Sequence, residues 1–88
     1  LSNEESQINI YPNPAKGDWI NLSITANEES IQAVEIVDVS GRLVHHQALR
    51  LWEGDNEYTL TPAQKLPIGV YMLRLSGMEI PKKLVIVE

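Results

Sequence analysis

Short runs of alternating apolar and polar residues, each bounded by turn-forming residues, most strongly constrain how this sequence can fold. The clearest run covers residues 19–26, where Ile20, Leu22 and Ile24 alternate with polar residues. A period of two is typical of a half-buried β-strand, whereas an amphipathic helix repeats its apolar residues every three or four positions. Turn signals recur about every 8–12 residues, which favours a sandwich of short strands. The sequence therefore predicts an all-β domain.

The same pattern predicts about seven antiparallel strands in an immunoglobulin-like or fibronectin-like β-sandwich. The predicted strands span residues 8–11, 19–26, 31–39, 43–49, 57–60, 70–76 and 82–87. Between them we predict a loop at residues 51–56, one helical turn at 61–64 and a hairpin at 76–77. The predicted core consists of Ile20, Leu22, Ile24, Val34, Ile36, Leu60, Tyr71, Leu73 and Leu75.

Length and charge limit the possible partners. The 88 residues allow one domain, and residues 1–7 are polar and acidic, so we expect a linker there and a folded unit over residues 8–88. The first residue is Leu1 rather than Met, so we expect the chain to come from a longer protein. A net charge of −5 argues against nucleic-acid binding, because phosphate contacts require a basic face.

No group of residues predicts catalysis or metal binding. The chain has no cysteine, which excludes thiol nucleophiles and disulfides. His45 and His46 are adjacent, so a strand would direct them to opposite faces rather than to one metal. Glu53, Asp55 and Glu57 are predicted to form a solvated acidic loop, since the ligand spacing of an EF-hand is missing. We therefore expect no catalytic residue, cofactor, metal or small-molecule substrate.

Four aromatic residues provide the main alternative interpretation. Trp19, Trp52, Tyr11 and Tyr58 would form a platform for stacking against sugars if they lay in one plane. That arrangement would indicate a carbohydrate-binding or spacer module attached to an extracellular hydrolase. A planar row of exposed aromatic side chains would favour this alternative.

Four motifs spread over residues 8–88 give the chain a family resemblance. The motifs are Tyr11-Pro12-Asn13-Pro14-Ala15-Lys16-Gly17, Asp38-Val39-Ser40-Gly41-Arg42-Leu43-Val44, Leu66-Pro67-Ile68-Gly69-Val70-Tyr71 and Lys82-Lys83-Leu84-Val85-Ile86-Val87-Glu88. In this order they resemble the type A C-terminal sorting domain of the type IX (Por) secretion system of Bacteroidetes.

The resemblance implies a non-catalytic secretion signal at the end of an exported cargo protein. The implied partners are the outer-membrane translocon with its shuttle proteins, and a surface sortase, a cysteine peptidase that cleaves near the linker. The implied location is the periplasm in transit, and then the cell surface or the medium, with the domain removed on export. Residues 8–88 would then be the sorting domain.

The first three motifs are expected to be mainly structural. Asp38 is predicted to cap backbone amides, Gly41 to adopt a positive φ, and Tyr71 to form a tyrosine corner whose hydroxyl bonds to the backbone upstream. Prolines and glycine in the first motif are predicted to shape a turn. The complete set of motif residues is Tyr11, Pro12, Asn13, Pro14, Gly17, Asp38, Gly41, Gly69 and Tyr71.

The last predicted strand is the expected recognition element. Its apolar residues are consecutive, although a half-buried strand needs only alternate ones. We therefore expect one pair to pack in the core, while the other pair, the lysines and an open backbone edge contact the translocon. The predicted recognition residues are Lys82, Lys83, Leu84, Val85, Ile86, Val87 and Glu88.

Overall fold

A computed structural model describes residues 7–76 and 81–88, which form β-strands joined by turns and loops. These residues contain eight strands: β1 (Gln7–Tyr11), β2 (Ala15–Lys16), β3 (Ile20–Ala26), β4 (Ser30–Asp38), β5 (Leu43–Leu51), β6 (Gly54–Leu60), β7 (Gly69–Leu75) and β8 (Lys82–Val87). All of the predicted strands are present, and the additional one is the two-residue β2. Gly77, half of the predicted hairpin at 76–77, lies outside the described residues.

The strands form two sheets that pack face to face. One sheet has three strands in the order β1-β3-β6, and the other has five in the order β2-β8-β7-β4-β5. Neighbouring strands are antiparallel except for β2 and β8, which are parallel. The predicted β-sandwich is thus confirmed, with β8 inside the larger sheet rather than at its edge.

Alternating residues from both sheets form a single core. Every residue predicted to lie in the core is buried. Burying one Leu or Ile side chain contributes about 1.5–3 kcal/mol, so this inner layer supplies most of the stabilisation of the domain. The core also includes residues that the alternation did not single out, namely Ile8, Ala15, Val37, Leu49, Leu51, Leu66, Leu84 and Ile86.

The turn between β5 and β6 differs from the prediction because of one buried side chain. A loop was expected over residues 51–56, yet β5 continues to Leu51 and β6 begins at Gly54. The side-chain amide of Asn56 accepts from the N–H of Trp52 at 3.0 Å and donates to the Trp52 carbonyl at 2.9 Å. Because these bonds satisfy the backbone inside the turn, both strands extend further than the pattern indicates.

The predicted helical turn at residues 61–64 is wrong. No helix occurs among residues 7–76 and 81–88, and this segment is a loop with a bend. Leu66 is buried, and its N–H donates to the carbonyl of Gly17 at 3.0 Å. An isolated helical turn is unfavourable, because it fixes the backbone dihedral angles of several residues and gains only about one hydrogen bond. The anchoring of Leu66 therefore determines the path of the loop.

Replacing Gly41 tests the turn between β4 and β5. Gly41 has a φ of 89°, and its N–H donates to the Asp38 carbonyl at 2.9 Å. A Cβ atom at this position would have no atom within 4 Å, so a side chain would destabilise the turn only because of the backbone conformation and not because of a clash. We expect Gly41→Ala to lower the free energy of unfolding by about 1–2 kcal/mol. Gly41→Asn should lose less, because asparagine tolerates the left-handed region. Equal urea midpoints for wild type and Gly41→Ala would contradict this.

Candidate recognition site around the C-terminal strand

The side chain of Asn13 pairs with the backbone of β8. Its amide nitrogen donates to the carbonyl of Lys83 at 2.9 Å, and its amide oxygen accepts from the N–H of Val85 at 3.1 Å. A neighbouring strand would offer one donor and one acceptor in the same way. The Asn13 amide therefore takes the place of a strand along the first half of β8.

The short strand β2 covers the second half of the same edge. Ala15 pairs with Ile86, and Lys16 pairs with Val87. The sequence predicted an open backbone edge on the last strand, and this prediction is wrong. Asn13 and β2 both satisfy backbone groups that would otherwise be available for strand addition. Nothing in the local sequence shows that residue 13 lies beside residues 83–85.

Gly17 allows the first motif to pack against the loop before β7. A Cβ atom on Gly17 would lie 2.2 Å from the carbonyl oxygen of Leu66, which is closer than any real contact. The predicted role of this glycine in shaping a turn is therefore incomplete. It is also required where two backbone segments approach each other closely.

Asp38 organises the turn of the second motif as predicted. Its Oδ1 accepts from the N–H groups of Ser40 and Arg42, each at 3.0 Å, and from the Ser40 hydroxyl at 2.7 Å. The Ser40 hydroxyl is the main cause that lowers the pKa of Asp38, and the Arg42 N–H adds to it. The turn thus holds Asp38 as a carboxylate.

Tyr71 of the third motif forms the predicted bond to the upstream backbone. Its hydroxyl donates to the carbonyl of Pro67 at 2.6 Å, and the side chain is buried. Burial raises the pKa of the hydroxyl, and the nearby charge of Asp38 raises it further. Tyr71 therefore remains a neutral hydrogen-bond donor that fixes the loop leading into β7.

All four motifs meet at one end of the five-stranded sheet. Tyr71 is the cross-strand partner of both Asp38 on β4 and Leu84 on β8. Similarly, Ile86 on β8 lies between Gly69 on β7 and Ala15 on β2. Residues of the first three motifs therefore surround the fourth, and their side chains and backbone hold β8 in place.

The two faces of β8 have different roles. Leu84 and Ile86 are fully buried in the core. Val85 is half-buried and Val87 is 39% exposed on the outer face of the sheet. The sequence predicted that one pair of β8 side chains faces the core and the other faces outward. Leu84 and Ile86 are the inward pair, and Val85 and Val87 are the outward pair.

The outward valines belong to a larger apolar surface. Val70 on β7 is the cross-strand partner of Val85, and it is 40% exposed. Met72 is half-buried, on the same face of β7 as Val70, and pairs with Lys83. We call Val70, Met72, Val85 and Val87 the outer patch. Lys83 is exposed on the same face at one end of it, and Lys82, exposed on the opposite face, adds to the positive charge at this end of β8.

The histidines do not form a site together. His45 is half-buried and lies 3.2 Å from Gln47 through its Nε2 atom, whereas His46 is exposed. Alternation along β5 separates them as predicted. Within residues 7–76 and 81–88, no group of three or more His, Cys, Asp or Glu side chains is placed to hold a metal ion.

The acidic residues expected in a loop belong mostly to β6. Asp55 accepts from the hydroxyl of Thr25 at 3.0 Å, and Glu57 accepts from the hydroxyl of Tyr11. The bond to Glu57 is the main cause that raises the pKa of Tyr11. These carboxylates have cross-strand partners and do not surround a common point.

The four aromatic side chains do not form one row. Trp19 precedes β3, while Trp52 lies beyond the other end of that strand, where its ring packs 4.9 Å from the Arg50 guanidinium. Tyr58 packs partly against the core and donates to the Arg50 carbonyl, whereas Tyr11 is exposed. The carbohydrate-binding alternative lacks the planar row that would favour it.

With the motifs placed around β8, the comparison with known families decides the assignment. The sequence matches the model of the secretion system C-terminal sorting domain over residues 9–87. The chain belongs to this family. The sorting domain thus carries the secretion motifs as parts of one folded unit, as its resemblance to type IX sorting signals implied. No curated protein matches the sequence.

A solved structure contains the same fold as this sorting domain. PorU from Porphyromonas gingivalis, crystallised as a latent dimer, matches with a TM-score of 0.75 and 22% sequence identity. The match covers 99% of the sorting domain but only 10% of the PorU chain. At 22% sequence identity, this similarity shows only that the two proteins share a fold. In the part of the sorting domain that the structure describes, no helix is long and apolar enough to cross a membrane.

Replacing Asn13 tests its pairing with β8. Asn13→Ala removes both hydrogen bonds and leaves the Lys83 carbonyl and the Val85 N–H without that partner, so we expect a loss of about 1–3 kcal/mol in unfolding free energy. Asn9→Ala on the exposed face of β1 is the matched control and should change stability by less than about 0.5 kcal/mol. Urea denaturation measures both. Similar midpoints for the two variants would refute the role given to Asn13.

The lowered pKa of Asp38 predicts a dependence of stability on pH. A carboxylate with a depressed folded-state pKa stabilises the fold above its unfolded value of about 3.9, and the contribution disappears as pH falls through the lower folded value. We expect Asp38→Asn to reduce Tm most above about pH 4 and less towards pH 2. Thermal melts across this range compare the two proteins. Parallel curves would show that the Asp38 charge contributes nothing.

Proposed function

We propose that the domain is a non-catalytic signal that directs an exported cargo protein through the outer-membrane translocon of the type IX system, with the help of its shuttle proteins. Membership of the sorting-domain family supports this route. The cargo crosses the periplasm and then reaches the cell surface or the medium. A surface sortase, a cysteine peptidase, removes the domain by cleaving near the linker that precedes β1, so the domain is a substrate and not an enzyme.

The outer patch is the observation that best supports this function at the level of residues. Folding requires only Leu84 and Ile86 from β8, because these two side chains fill the core. Val85 and Val87 instead join Val70 and Met72 outside. Contiguous exposed apolar surface of this kind marks a contact with another protein.

The covered edge of β8 indicates how the contact forms. Asn13 and β2 already pair with the backbone of this strand, so addition of a partner strand would first have to displace them. We infer that the translocon packs against the outer face of residues 82–88. Lys82 and Lys83 beside the outer patch match a partner surface that combines apolar and acidic groups.

Point variants test this better than truncation. Deleting residues 83–88 would also remove Leu84 and Ile86 from the core, and the loss of one such side chain alone costs about 2–5 kcal/mol. A truncated cargo that stays in the periplasm would therefore not distinguish a lost contact from an unfolded domain.

Serine at both Val85 and Val87 removes the outward pair and keeps the core. We expect the cargo to accumulate in the periplasm, while the isolated domain loses no more than about 1 kcal/mol in a thermal melt. The matched control replaces Ile31 and Val39, which are 67% and 83% exposed, with serine. This control should be exported normally. Fractionation of cells carrying the full-length cargo gene measures the distribution.

Two results would contradict the proposal. Normal surface delivery of the Val85→Ser/Val87→Ser protein would exclude the outer patch as the recognition surface. Equal retention of the Ile31→Ser/Val39→Ser control would mean that any loss of exposed apolar surface blocks export, and that β8 has no special role.

A further inference from the structure

The five-stranded sheet has a second edge, far from β8, which is formed by β5. Within the described residues β5 pairs with β4 only, so its other side presents backbone N–H and C=O groups along a nine-residue strand. Proteins commonly protect such edges with charged residues, proline or a covering loop. The edge of the smaller sheet at β6 carries Asp55 and Glu57, whereas residues 43–47 of β5 include no acidic residue, lysine or proline.

Only the second half of the β5 edge is covered. The hydroxyl of Tyr58 donates to the carbonyl of Arg50, and the Asn56 amide satisfies the backbone of Trp52 just beyond the strand. No comparable hydrogen bond reaches the outer side of residues 43–47 from the part of the chain that the structure describes. A β-bulge at Val44 interrupts the pairing of the first half of β5 with β4, and beyond this bulge the outer side of residues 45–47 lacks a covering hydrogen bond from the described residues.

A groove of about 880 Å³ lies beside this open half. One wall is formed by the start of β5, including Leu43 and Val44, and the other by the loop at residues 61–67, including Leu66. Anchoring of Leu66 on the carbonyl of Gly17 holds the loop wall in place. An extended peptide that paired with β5 would therefore place alternate side chains along the groove.

The charges of the groove select one kind of peptide. The cationic side chains of Arg42 and Lys65 line it, and no Asp or Glu does, although the chain as a whole carries a charge of −5. Arg42 has a partial partner, because its Nε atom lies 3.4 Å from Asp38. Lys65 forms no ion pair with any described residue. A carboxylate on a bound peptide would provide that partner.

We propose that the open half of β5 and the adjoining groove bind an extended polypeptide segment with carboxylates at alternate positions, which adds as a sixth strand to the larger sheet. Main-chain pairing to residues 43–47 provides the affinity, and Lys65 with Arg42 provides the preference for acidic residues. This site is separate from the outer patch and does not depend on the proposed secretion function.

The test uses a fluorescent peptide of about eight alternating glutamate and valine residues. We expect saturable binding to the 88-residue chain below about 1 mM peptide, and binding at least about tenfold weaker for the peptide with glutamine in place of glutamate. Lys65→Glu should weaken binding of the acidic peptide by at least about tenfold. Lys16→Glu makes the same charge change on the opposite edge of the sheet and should have little effect.

Amide chemical shifts and hydrogen exchange locate the peptide independently of its affinity. Strand addition should shift and protect amides of residues 43–47 and should shift those of the loop at 61–67. Binding that is absent below about 1 mM, equal for the two peptides, or equally weakened by Lys65→Glu and Lys16→Glu would overturn the proposal. Shifts confined to other strands would do the same.

Discussion

The hydrogen bonds between Asn13 and β8 are the interaction that places the last strand inside the larger sheet. They join segments that are 70 or more positions apart in the sequence, and with β2 they turn the last strand into an interior strand of the larger sheet. An interior position lets Leu84 and Ile86 complete the core beneath Tyr71. The same position presents Val85 and Val87 on the outer face. The placement of β8 in the core and the proposed recognition surface therefore both depend on this long-range contact.

Local patterns predicted the parts of the fold that depend on local physics. The alternation in β3 identified its buried face, and short-range geometry was sufficient to predict the Asp38 turn and the bond from Tyr71 to the Pro67 carbonyl. The errors involve contacts between distant segments. The covered edge of β8 depends on Asn13, and the absence of a helical turn at 61–64 follows from the packing of Leu66 against Gly17. Neither contact produces a periodic pattern in the sequence, because each joins single residues from distant segments.

A residue of a family motif can stabilise the fold or lie on a surface that contacts a partner, and the structure distinguishes these two roles. Asn13, Gly17, Asp38 and Tyr71 belong to the first three motifs in the sequence, but their contacts are internal to the domain, and the bonds of Asn13 are made with β8. The outer patch also consists largely of motif residues, namely Val70 of the third motif and Val85 and Val87 of the fourth, with Met72 beside them. A motif residue therefore indicates membership of the family whether its side chain stabilises the fold or lies on the surface proposed for a partner.

The parallel pairing of β2 with β8 has a mechanical consequence. In the proposed function a cargo attached before β1 pulls on the chain, and once β1 has separated from β3 the load reaches the beginning of β2, while a partner that holds β8 resists at the other end of the ladder. Because the two strands run in the same direction, such a pull slides one strand along the other, and all of the hydrogen bonds between them bear the force together. Antiparallel strands that are pulled apart at a shared end instead lose their hydrogen bonds one at a time. The bonds from Asn13 lie on the same strand and share this load. The geometry of the sheet therefore suits the proposed function, in which the domain is held by its last strand while a folded protein is drawn behind it.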